Sequence, residues 1–168
     1  MTRHHQTATR ADGFTLLEVL VVVFIIGIVL SFAVISIRDN PSDRVETEVR
    51  RFATLVTLAA QEAVLQSREI AVEVGDESYR FLVLEENAWV ESNDELLRAR
   101  TLPEGMRITI SVEGERGKDN GMKTKTDPRI YLLSGGEMTP FQFLITLDAA
   151  RVSYGVSGDA LGRLEFGG

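Results

Sequence analysis

An α+β fold is predicted for this chain: a long N-terminal α-helix packed on a mainly antiparallel β-sheet or β-sandwich. Three observations predict it. Val19 to Ile37 is a run of nineteen residues without a charge. An amphipathic helical pattern follows from Val45 to Ala63, and beyond Arg68 the apolar period shortens to alternation.

The apolar run comes first along the chain. With Phe14 to Leu17 added ahead of Glu18, the stretch to Ile37 is roughly 36 Å long as a helix, enough to cross a bilayer. Val and Ile are abundant in it, but a lone strand in lipid leaves its backbone unpaired, so a helix is expected. Arg3 and Arg10 precede the run and a long, net acidic region follows it. The positive-inside tendency then holds residues 1–13 in the cytoplasm and exports the remainder. After Ile37 the sequence reads RDNPSDR, with no small-residue cleavage site of the secretory kind. A cut, if made, falls before the apolar run.

Glu18 interrupts this picture. A carboxylate one turn into a spanning helix is costly and usually has a partner or a function. One reading leaves it at the interface, reaching water. The other pairs it with a cation, and cleavage between Gly13 and Phe14 creates one, an α-amino group with a pKa of about 8.

Asn40 and Pro41 suit an N-cap and a first helical position, so a kink or short break is expected near Asp39 to Ser42, with an amphipathic helix over about 41–68. Val45, Val49, Phe52, Val56, Ala59 and Ala63 form its apolar stripe, with Glu46, Arg50, Thr54, Thr57 and Gln61 opposite. The stripe suits packing on the protein's own sheet, or a short coiled-coil seam. Strands are predicted at 70–74, 79–84, 107–112, 129–133, 141–147 and 151–156, with shorter ones at 88–90, 96–100 and 163–166. Turns are predicted at Gly75-Asp76, Glu85-Glu86-Asn87, Asp148-Ala149-Ala150 and Ser157-Gly158-Asp159. The polar stretch of about 113–128 reads as a mobile, solvated loop or as a docking loop that orders on assembly. Its acids do not match an EF-hand spacing.

Composition narrows the function. The 25 acidic residues outnumber 18 Lys plus Arg, so nucleic acid is not an expected partner. Cysteine is absent, and the two histidines are His4 and His5, which removes thiol and imidazole catalysis and the usual zinc ligands from the rest of the chain. No enzyme activity, catalytic residue, metal or cofactor is expected.

Gly13-Phe14-Thr15-Leu16-Leu17-Glu18, running straight into the apolar segment, resembles the processing motif of type IV pilins and type II secretion pseudopilins. The resemblance implies a prepilin leader (1–13) cut after Gly13 by prepilin peptidase, N-methylation of Phe14, and Glu18 as the acid that neutralises the new N-terminus during assembly. It further implies a transmembrane and filament-core helix (14–38) and a periplasmic pilin-like domain (39–168). The span lacks the proline common in major subunits, which suits a minor one. Glu62-Ala63, Leu65 to Ile70, Tyr79-Arg80-Phe81, Trp89 and Gly136 to Phe141 resemble landmarks of the H-type minor pseudopilin. Read structurally, Trp89 and Phe141 are core aromatics and Pro140 a turn before a strand.

This resemblance implies a structural subunit near the tip of a pseudopilus that helps export folded proteins across the outer membrane. Its implied partners are the I, J and K-type minor pseudopilins, the major pseudopilin, the peptidase, the inner membrane and its assembly platform. A FimT-like minor pilin of a type IV pilus is the alternative. A membrane-tethered binding module without processing is a third reading.

Overall fold

The computed structural model describes residues 15–35, 40–114 and 127–167, in two compact units, up to residue 39 and from residue 40 onward. Gly13, Phe14, residues 36–39, which include the first residue of the break expected at Asp39 to Ser42, and residues 115–126 of the polar stretch lie outside the described residues.

The first unit holds helix α1, Leu16–Ile35. Its side chains are described as far as Val29, and all of them are exposed. Among the described residues no helix is long and apolar enough to cross a membrane, although the uncharged run in the sequence continues to Ile37.

The second unit opens with α2, Pro41–Leu65. Asn40 caps it as expected: its Oδ1 accepts from the Ser42 N–H at 3.2 Å, and Pro41 occupies the first turn, where no N–H is needed. The six predicted stripe residues are buried, joined by Ala53 and Leu55. The helix stops three residues before the expected end. Ser67 takes a left-handed conformation at φ 50°, so that the Arg68 N–H reaches the Ala63 carbonyl at 3.0 Å and the Ser67 N–H that of Val64 at 3.3 Å. This is a Schellman stop without its usual glycine, which is why the sequence pattern did not announce it.

Nine strands follow among the described residues: β1 Ile70–Val74, β2 Ser78–Glu85, β3 Ala88–Glu91, β4 Arg100–Thr101, β5 Met106–Val112, β6 Arg129–Leu132, β7 Phe141–Leu147, β8 Val152–Gly158 and β9 Leu164–Gly167. They form two antiparallel sheets, β3-β2-β1-β6 with β4 on β2, and β5-β7-β8-β9. Phe52 of α2 joins them. Its ring stacks on Phe143 of the second sheet at 3.7 Å and meets the edge of Tyr79 of the first at 5.1 Å.

Three of the departures from the expected boundaries have a clear local reason. The strand expected at 96–100 shrinks to Arg100–Thr101, because Ser92 and Asp94 side chains bind the N–H groups of Asp94 and Leu96 in place of a ladder. Asp148–Ala150 forms a 3-10 turn closed by left-handed Arg151, which delays β8 to Val152. Ser157 and Gly158 stay in β8, and the reversal moves to Asp159, whose Oδ1 accepts from the N–H groups of Leu161 and Arg163 at 2.9 Å each.

Trp89 corrects the core-aromatic reading. Phe141 is in the core, but Trp89 is partly exposed on the face of the first sheet away from α2, with its ring 5.6 Å from that of Tyr131.

Glu73 is the buried charged side chain among the described residues. Arg80 donates to its Oε1, and Arg129 Nη2 approaches its Oε2 at 2.6 Å, so one carboxylate ties β2, β1 and β6 together. Burial works against its ionisation, but the hydrogen bonds and charges of Arg80 and Arg129 prevail and hold the carboxyl below its ordinary 4.5. Its contribution to stability is therefore complete above pH 4.5 and is lost as pH falls through the lower folded-state value. Glu73→Gln is expected to lower unfolding free energy by about 1–3 kcal/mol at pH 7 and to flatten the acid limb of stability against pH, both measured by urea melts.

Gly158 stands opposite Phe141 in the β7–β8 register, and a Cβ there meets the Phe141 ring. Gly158→Ala is expected to cost about 1–3 kcal/mol from overpacking, whereas the same change at Gly135, where a Cβ meets nothing within 4 Å, is expected to cost less than half as much in the same melts.

Candidate functional site at the start of the N-terminal helix

The residues singled out by sequence are Gly13, Phe14 and Glu18. Of these, Glu18 is described. Thr15 precedes the helix, and its Oγ1 accepts from the Glu18 N–H at 3.3 Å. The Thr15 carbonyl accepts from Glu18 and Val19 at 3.1 and 3.3 Å. Thr15 is thus the N-cap and Glu18 the third helical residue, the spacing of a capping box.

That geometry gives Glu18 a local reason for its position. The first turn of a helix carries unpaired N–H groups and the positive end of the peptide dipoles, both of which favour a nearby carboxylate. Sequence reasoning treated Glu18 as an acid in search of a cation and passed over the Thr-x-x-Glu signal before an apolar run, which was available to it. The capping role does not compete with a cationic partner, because Glu18 is exposed and a carboxylate accepts several hydrogen bonds.

The remainder of α1 has one chemical property. Leu16 is 84% exposed and Phe24 66%, and side chains of this kind do not remain in water when an apolar or protein environment is available. The helix presents a surface for burial by other molecules. Among the described residues no group of three or more His, Asp or Glu is placed to hold a metal.

The landmarks of the second unit take structural positions. Leu65 to Ile70 make the helix stop and the entry to β1. Tyr79 and Phe81 enter the core while Arg80 joins Glu73. Gly136 turns at φ 90°, the Thr139 N–H bonds the Tyr131 carbonyl at 2.9 Å, and the Pro140 carbonyl accepts from Glu113 at 2.9 Å. The segment thereby carries the chain from one sheet to the other. A groove lined by Thr57, Ala60, Val64, Leu65, Met138 and Leu161 lies at the far end of α2.

Comparison with known proteins agrees with both units. The sequence model of the prokaryotic N-terminal methylation motif matches residues 9–34, and that of the type II transport protein GspH matches residues 48–162. Type II secretion system protein H of Aeromonas hydrophila is 30% identical, over 98% of this chain and 95% of its own length. The protein of the same name from Pseudomonas aeruginosa is 30% identical over 77% of this chain and 80% of its own. The fold resembles that of the minor pseudopilin EpsH of the Vibrio cholerae type II secretion system, with a TM-score of 0.61 at 22% identity over 76% of this chain and 97% of that one. It also resembles Escherichia coli GspH in solution, with a TM-score of 0.59 at 18% identity over 79% and 93%. The chain belongs to the GspH family of type II transport proteins, whose curated relatives are named type II secretion system protein H.

Proposed function

We propose that this chain is made as a precursor cut between Gly13 and Phe14, methylated on the Phe14 amine, and inserted near the tip of a pseudopilus with Glu18 neutralising an N-terminal amine. Family membership carries association with other pseudopilins and the secretion machinery, in a membrane-anchored pseudopilus with a periplasmic domain. The finer reading adds prepilin peptidase, an inner-membrane assembly platform, the I, J and K-type minor pseudopilins and the major pseudopilin as partners. It adds a single pass through the inner membrane with residues 39–168 on the periplasmic side, and a subunit whose work is packing, not catalysis.

The observation that carries this reading is a carboxylate in the first turn of a helix whose described apolar side chains are all exposed. In hydrocarbon a lone carboxylate and a lone ammonium are each costly, and pairing them offsets part of both penalties. The pair also fixes axial register, because a slip of one helical turn, about 5.4 Å, separates the charges.

Two measurements test it. The intact mass of the chain from secreting cells is expected to lack residues 1–13 and to carry one methyl group on Phe14; a full-length, unmethylated chain in assembled pseudopili contradicts processing. Glu18→Ala is expected to enter the membrane as wild type does, but to fall about tenfold in sheared pseudopili, since an unpaired charge in a bilayer costs a few kcal/mol. Equal recovery of mutant and wild type contradicts the neutralising role.

A further inference from the structure

We draw no further inference here: the strongest candidate, the apolar groove at the far end of α2 lined by Val64, Leu65, Met138 and Leu161, carries no proposal because nothing in the structure shows what covers it.

Discussion

One helix face has to serve two sheets, and the second unit is built around that requirement. Phe52 meets it, stacked on Phe143 and edge-on to Tyr79 and Phe141. Offset and edge-to-face contacts of this sort add to the area that each ring buries. Because both sheets pack on one stripe, the small residues in it and facing it are constrained. Ala53, Ala59 and Ala63 let the strands approach α2, and Gly155 and Gly158 let β8 lie close to β7.

The polar interactions are arranged around that core. Glu73 shows how a charge is kept where apolar burial alone would expel it: two guanidinium groups from neighbouring strands meet its two oxygens, so desolvation is offset by charge-assisted bonds. In return β6, which begins just after residues 115–126, is tied to the centre of its sheet. Arg50 works similarly at a surface, paired with Glu46 and set over the Phe166 ring at 5.0 Å, so that β9 is held to α2.

The first unit is governed by the reverse situation. α1 has apolar side chains on every described face and finds no cover within its own unit. A helix that is apolar all round belongs to a membrane or to a packed interior. Glu18 is compatible with each because the helix start stabilises it locally, independent of the surroundings of the remaining side chains.

Much of this was legible from residue patterns. The apolar run, the Asn40-Pro41 start of α2, its stripe from Val45 to Ala63 and six main strands follow from periodicity and capping chemistry, which act between residues a few positions apart. The terminal motif was legible for the same reason, as a short contiguous string. What the sequence could not decide depended on contacts between distant positions. The stop at Leu65 rests on Ser67 in a glycine-like conformation, held by the hydrogen bonds of the Ser67 and Arg68 N–H groups into the last turn. Trp89 looked like a core residue by its chemistry, yet the pairing of Leu84 with both Trp89 and the end of β1 sends it to the opposite face. Glu73, Arg80 and Arg129 are an ordinary scatter of charges until three strands set them side by side. Alternation along a strand tells which residues share a face; only the register between strands tells what they face.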